Sequence, residues 1–395
     1  MKKETIWTKD FLFISINSFF VFLIFYSLMT VLPFFVLDEL HQAEESVGLV
    51  TSIFLLASVI IRPFAGNWLD TIGRKKILLL SLIIFLLSTG LYFIVQTYAA
   101  LLILRFFQGV GFGLATTATG AIAADLVPPS KKGEGIGYYG MFMSIAMVIG
   151  PYVGLLIIQQ YSFTVLFIFC TIFALISFVL ALFTKLPLQT EQLNKVSERK
   201  QTKLSLKELF EASAIPISIT AGIFALSYSS ISSYVSLYAE ELGLESIAGF
   251  FFIIIGLAVI VSRPLTGRWF DLYGENKVIY PALFIFMIGM IVLSFTDNAF
   301  LYIASAAIIG LGYGAAIPSF QTISVQNAPG HRRGAATATY FFFFDTGFGI
   351  GTFINGIIQA KTSFQFMFFL SGMIMIGTIF IYFFIYDKRR KLQTI

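Results

Sequence analysis

Asp345 is the one carboxylate set well inside a long apolar stretch of this 395-residue chain. It stands about eleven residues into the run 334–359, roughly 16 Å along if that run is helical. A charge at such depth in an apolar medium is costly, and an ionisable group there marks a functional site by default. The chemistry open to Asp345 is reversible protonation, so it is expected to carry the proton in a coupled process. Held neutral, the same group would merely cap a neighbouring helix. Arg105, about six residues into the run 99–120, is the cationic counterpart. Taken alone, it also fits a side chain that snorkels to the water interface along its aliphatic stem.

Other chemistry is missing from the chain. No HExxH, GxSxG or GxxxxGK[ST] occurs, and no apolar run carries paired carboxylates or a histidine. His41 and His331 fall between runs, and Cys170 is the single cysteine. No catalytic residue, metal site, cofactor or disulfide framework is expected. An enzyme and a nucleotide-driven pump are both disfavoured.

The medium follows from composition. The chain is 57% hydrophobic and 12% charged, with a mean hydropathy of +0.87. Soluble domains carry about 25% charged residues, and one this apolar would expose far more apolar surface than monomers tolerate. Polar punctuation leaves twelve runs near the roughly 20 residues a helix needs to cross hydrocarbon. They cover 11–37, 46–66, 77–95, 99–120, 135–159, 162–184, 213–239, 246–267, 278–296, 300–320, 334–359 and 363–386. At such lengths only helices satisfy their own backbone in lipid. The fold expected is an all-α integral membrane protein.

The net charge of +5 is a matter of topology, not of nucleic acid. Of the 26 Lys and Arg, 22 lie at the amino terminus, in alternate connections, or in the tail. The intervening connections hold one, Lys361, and are acidic instead, as at Asp38, Glu39, Glu240 and Glu241. By the positive-inside rule both termini are cytoplasmic.

The chain also repeats itself. RPFAGNWLDTIGRKK at 62–76 and RPLTGRWFDLYGENK at 263–277 share seven of fifteen positions at an offset of 201. The same offset aligns Gly109, Gly111 and Gly113 with Gly310, Gly312 and Gly314, and Lys131-Lys132-Gly133 with Arg332-Arg333-Gly334. Two six-helix halves in one orientation follow, related by an axis along the membrane normal. Their expected limits are 1–187 and 213–395. A cytoplasmic linker at 188–212 joins them, with an amphipathic helix at Leu204–Phe210.

These residues resemble the major facilitator superfamily, and within it the twelve-span drug/proton antiporters. Gly66 through Lys76, with Asp70, Gly73 and Arg74, is similar to the family's signature between the second and third spans. Leu101 to Gly113 resembles its fourth-span motif, and Gly140 with Gly150-Pro151-Tyr152-Val153-Gly154 its antiporter motif. The resemblance implies alternating access and proton-driven export of small, partly hydrophobic molecules. It also implies a proton-coupling role for Arg105 and path closure along the fifth helix. A carrier of one endogenous metabolite, such as a sugar or amino-acid derivative, is the alternative.

Physical reasons stand beside each motif. Asp70, on a turn shaped by Gly66 and Gly73, is expected against the positive end of the eleventh helix near Gly334. Asp271 should face the start of the fifth near Gly133, each contact contributing about 0.3–1 kcal/mol. Glu275-Asn276 replaces Arg74-Lys75 in the second copy, so the two latches should differ in strength. Read blandly, the loop is only a positive-inside signal. Pro151 interrupts helix hydrogen bonding, while Gly150 and Gly154 permit close helix approach or serve packing alone.

Cargo is expected against Asn17, Tyr26, Tyr228, Ser229 and Tyr234, in stretches rich in hydroxyls and aromatics. Serines in such stretches also pack helices. Asp125 and Glu134 are either gate residues or solvated helix ends. The expected partners are a small-molecule substrate, protons and the lipid bilayer, with the chain a monomer in the plasma membrane.

Overall fold

The computed structural model describes residues 5–42, 46–186 and 209–387. Twelve helices in it are long and apolar enough to cross a membrane. They are α1 (Lys9–Phe34), α2 (Val47–Thr71), α3 (Arg74–Gly90), α4 (Tyr98–Leu126), α5 (Lys132–Gln160), α6 (Phe163–Phe183), α7 (Ile215–Glu241), α8 (Glu245–Tyr273), α9 (Asn276–Ser294), α10 (Ala299–Gln326), α11 (Arg333–Lys361) and α12 (Phe364–Ile381). No strand occurs among the described residues. Residues 188–208, which hold most of the expected linker and of its amphipathic helix, lie outside them.

Four helices run about a turn beyond their apolar runs. α2 ends at Thr71, α4 at Leu126, α8 at Tyr273 and α10 at Gln326. The acids at three of these ends are paired rather than solvated, so they do not stop the helix: Asp70 and Asp271 accept from backbone amides, and Asp125 meets Arg74 and Arg333. This corrects the placing of Asp70 and Gly66, which sit on α2 itself. Gly73 makes the turn, with φ 113°, and Gly274 repeats it at φ 85°, a backbone region that favours glycine.

Two compact units result. One gathers Met1–Pro128, Phe142–Glu211 and Pro329–Thr339; the other gathers Pro129–Met141, Ala212–Ala328 and Tyr340–Ile395. The grouping follows the sequence halves except that the first turns of α5 and α11 change places.

Within each unit the duplicated glycines do the same work. A Cβ on Gly111 would lie 2.8 Å from the Phe85 nitrogen of α3, and one on Gly312 2.6 Å from that of Phe286 on α9. Gly109 and Gly310 meet the carbonyls of Phe54 and Ile255 in the same way. Residues 54 and 255, like 85 and 286, differ by the repeat offset, so the duplication extends to backbone packing. Small residues allow this approach, which gives apolar helices in lipid their dispersion contacts.

Helix starts follow the repeat too. Thr97 Oγ1 accepts from Ala100 N, and Asn298 Oδ1 from Leu301 N; Ser162 and Ser363 cap α6 and α12 likewise. Such caps satisfy amide groups left open in the first turn and contribute about 1 kcal/mol each. α5 and α11 instead take their caps from elsewhere in the chain.

Candidate functional site

Asp70, on the last turn of α2, caps α11. Its Oδ1 accepts from Gly334 N at 3.0 Å and its Oδ2 from Ala335 N at 2.8 Å. Asp271 at the end of α8 does the same for α5, accepting from Gly133 N at 2.8 Å and Glu134 N at 2.9 Å. A carboxylate on two first-turn amides matches charge to the positive helix end. Gly66 fits this join: its Cβ would meet Ala338 Cβ at 2.6 Å and Ala335 Cα at 2.8 Å. Its part is therefore close approach to α11, not the turn expected of it.

The surroundings of the two caps differ. Arg74 Nη1 donates to Asp70 Oδ1 at 3.0 Å, and Arg74 Nε pairs with Asp125 Oδ2. Arg333 Nη1 reaches the other Asp125 oxygen at 3.0 Å. Asp125 is thus clamped between two arginines with only 8% of its side chain exposed. In the second copy Gln326 stands for Asp125 and Glu275 for Arg74, and Glu275 accepts from the Tyr386 hydroxyl. Asp271 meets Glu134 beside it, an acid where the first copy has Ala335. Accordingly Asp70→Asn should cost transport about tenfold, some 1.4 kcal/mol, and Asp271→Asn clearly less. Initial transport rates in matched vesicles decide it; equal losses would refute the asymmetry.

Arg105 does not snorkel: it is 0% exposed. Its guanidinium lies 4.2 Å from the Phe54 ring centroid. Nε donates to Val50 O at 3.3 Å and Nη1 to Gln108 Oε1 at 2.8 Å. Tyr92 also donates to Gln108 Oε1, and Gln108 donates to Thr89. Gln108 stands one turn along α4 from Arg105, as helical spacing expects; Tyr92 and Thr89 were not legible as partners, because that spacing does not say which face of α4 meets α3.

Asp345 lies half-buried near the middle of α11, beside the aromatic run Phe341–Phe344. Asn17 is fully buried and donates to Ser177 O at 2.7 Å, which ties α1 to α6. Ser229 is also buried, donating to Leu226 O and accepting from Asn355. Tyr234 donates to Thr352 O at 2.9 Å. Tyr26 is half-buried, and the Tyr228 ring lies tilted against that of Tyr313, with centroids 4.2 Å apart. Tyr228, Ser229 and Tyr234 thus lie along α7 of one unit, and Asn17 and Tyr26 along α1 of the other.

Gly150 and Gly154 seat α5 on α1, where added Cβ atoms would come within 2.8 Å of Tyr26 Cβ and 3.1 Å of Ser27 O. Ser27 Oγ donates to Gly150 O just before Pro151. On α11 the equivalent Gly351 keeps a close approach to Leu226 O at 2.5 Å. Asn355, in place of Gly154, adds side-chain hydrogen bonds to α7.

The model of the Major Facilitator Superfamily matches residues 14–352 and, overlapping, 267–394. The chain belongs to the Major Facilitator Superfamily. It is a multi-pass membrane transporter and not an enzyme. Among relatives, the multidrug resistance protein MdtG of Citrobacter koseri is 27% identical over 95% of this chain and 94% of its own. An uncharacterized MFS-type transporter of Methanocaldococcus jannaschii is 25% identical over 81% and 82%. Solved structures agree on the fold. The human organic anion transporter MFSD10 superposes with a TM-score of 0.80 at 16% identity, covering 94% of this chain and 98% of that one. The fucose:proton symporter of E. coli gives 0.78 at 16% identity and the same coverage.

Proposed function

We propose that this chain is a proton-driven exporter of small, partly hydrophobic molecules, with both termini in the cytoplasm of a plasma membrane. The observation that carries the reading is Asp345, a carboxylate near the middle of a membrane-spanning helix. An ionisable group there is costly unless it works. The relatives named for multidrug resistance support the cargo class.

Each capped helix end has a role in this reading. Asp70 fastens the start of α11 and Asp271 that of α5 with contacts of about 0.3–2 kcal/mol, enough to bias a two-state equilibrium without freezing it. Gly73 and Arg74 set the geometry of the first latch. Gly150, Pro151 and Gly154 let α5 move along α1. Arg105 takes part in proton movement from its buried network. Tyr26, Tyr228 and Tyr234 offer aromatic faces to cargo, while Asn17 and Ser229 keep the helices in register. The chain works as a monomer.

Expression in a sensitised host should raise tolerance to several unrelated lipophilic cations. In vesicles, an imposed pH gradient should drive their movement, and Asp345→Asn should abolish that drive. A flat tolerance panel would favour a carrier of one metabolite, and unchanged pH-driven movement in Asp345→Asn would remove Asp345 from the coupling step.

A further inference from the structure

Helices α7 and α11 repeat the pair α1 and α5 at the duplication offset, but they are joined differently. A Cβ on Gly347 would lie 2.0 Å from Gly222 O, one on Gly222 2.8 Å from Phe343 O, and one on Gly351 2.5 Å from Leu226 O. Gly351 has Gly150 as its counterpart on α5, whereas Val21 and Ala146 stand where the second half has Gly222 and Gly347. Small residues on successive turns let two backbones meet, and close packing of this kind holds helices together in lipid.

A polar tie begins where the glycines end. Asn355 on α11 is 2% exposed. Its Nδ2 donates to Leu226 O at 3.2 Å and to Ser229 Oγ at 3.1 Å, both on α7. Its Oδ1 accepts from Ser371 Oγ of α12 at 3.4 Å. Ser227 Oγ donates to Ser371 O at 2.7 Å, which closes the circuit from α12 back to α7. Near one turn earlier on α11, Tyr234 donates to Thr352 O at 2.9 Å. In the first half the positions of Asn355, Ser229 and Ser371 are taken by Gly154, Leu28 and Cys170, which carry neither amide side chain nor hydroxyl.

We propose that Asn355 is a positioning residue for transport, which fastens α11 to α7 and α12 so that the three helices move as one body. Its amide has both donors and its oxygen engaged inside a membrane-spanning bundle, where no water replaces a partner that moves away. A slide of α11 along α7 would break these bonds together and drive a helix backbone into Gly222 or Gly347. Gly154 gives α5 no such amide, so the two equivalent helices behave differently: α5 slides along α1, and α11 keeps its register on α7. The inference rests on the reading of α5 as a helix that moves along α1 during export, but the tie itself can be tested apart from cargo.

The test is a disulfide placed across the α7–α11 join of the full chain in a Cys170→Ala background. Ser233 Oγ and Thr352 Oγ1 are 3.5 Å apart, a spacing from which two cysteine sulfurs can bond. In liposomes under a pH gradient, oxidised Ser233→Cys/Thr352→Cys should move tetraphenylphosphonium at nearly the rate of its reduced form. A block on oxidation that a reductant reverses would overturn the proposal, because α11 would then have to slide on α7. The cargo-free arm is the effective concentration of the two thiols, measured in detergent by equilibrium with a glutathione buffer. Asn355→Ala should lower it about tenfold, as the interhelical bonds of the amide are lost. Ser230→Ala should leave it unchanged, since that hydroxyl donates to Ser227 O of its own helix. Equal values in Asn355→Ala and its parent would remove Asn355 from the tie. Should Asn355→Ala be too unstable to purify, Ser371→Ala takes its place with a smaller fall expected, and no fall counts against the tie. A parent chain that moves no tetraphenylphosphonium would remove the export reading and leave the tie to the thiol equilibrium.

Discussion

Asp125→Ala is expected to cut transport more than tenfold and to destabilise the purified protein. The carboxylate takes one arginine on each oxygen, Arg74 from α3 and Arg333 from the start of α11. The Arg74 side chain is 7% exposed and that of Arg333 30%. Removing the acid leaves two cations near each other, one of them buried. Breaking a buried pair in this way costs about 3–5 kcal/mol, far more than the pair adds over an apolar replacement. Part of the loss falls on the Asp70 latch, because Arg74 also donates to Asp70. Asp125→Asn retains one acceptor and should fall between alanine and the unaltered chain. Tm and initial transport rates check this. An alanine variant that melts and transports like its parent would show the network to be idle.

Legibility of this arrangement divided along a physical line. Long apolar runs and alternating charge report on the solvent each residue meets, so the twelve spans and their punctuation could be read directly. The repeat then placed Asp70 beside Gly334 and Asp271 beside Gly133, because a duplicated chain brings equivalent partners into equivalent places. Pairings special to one half had no such guide. Arg333 and Asp125 are 208 residues apart, and only the folded chain brings them together. Helix ends failed for a related reason: Asp70 and Asp125 look like punctuation, yet their charges are matched inside the fold and the helix runs on. Burial of Arg105 was equally hidden, since an arginine at that depth faces either lipid headgroups or a neighbouring helix, and composition is the same for both. In the hydroxyl-rich stretch of α7 sequence left cargo contact and helix packing equally open, and Ser227 and Ser229 spend their hydroxyls on the Ser371 and Leu226 carbonyls.

Gly66→Val is expected to unfasten the join that Asp70 makes, through sterics alone. The three atoms nearest an added Cβ are Ala338 Cβ, Ala335 Cα and Gly334 O, at 2.6, 2.8 and 2.9 Å. None is the end of a flexible side chain, so α11 itself must move. Two of the three residues touched, Gly334 and Ala335, supply the amides that Asp70 binds. The displacement therefore acts on the hydrogen bonds as well as on packing. Overpacking costs about 1–3 kcal/mol, and loss of the cap adds up to ~2 kcal/mol. Gly73→Ala provides the contrast, for nothing lies within 4 Å of its Cβ and only its φ of 113° is strained. That variant should cost about 1 kcal/mol and leave the α2–α11 join in place. A cysteine placed on α11 at Ala335 should react with a water-soluble maleimide many times faster in Gly66→Val, yet at nearly the parental rate in Gly73→Ala. Equal rates in both variants would mean that the turn, rather than close approach by Gly66, holds α11 against α2.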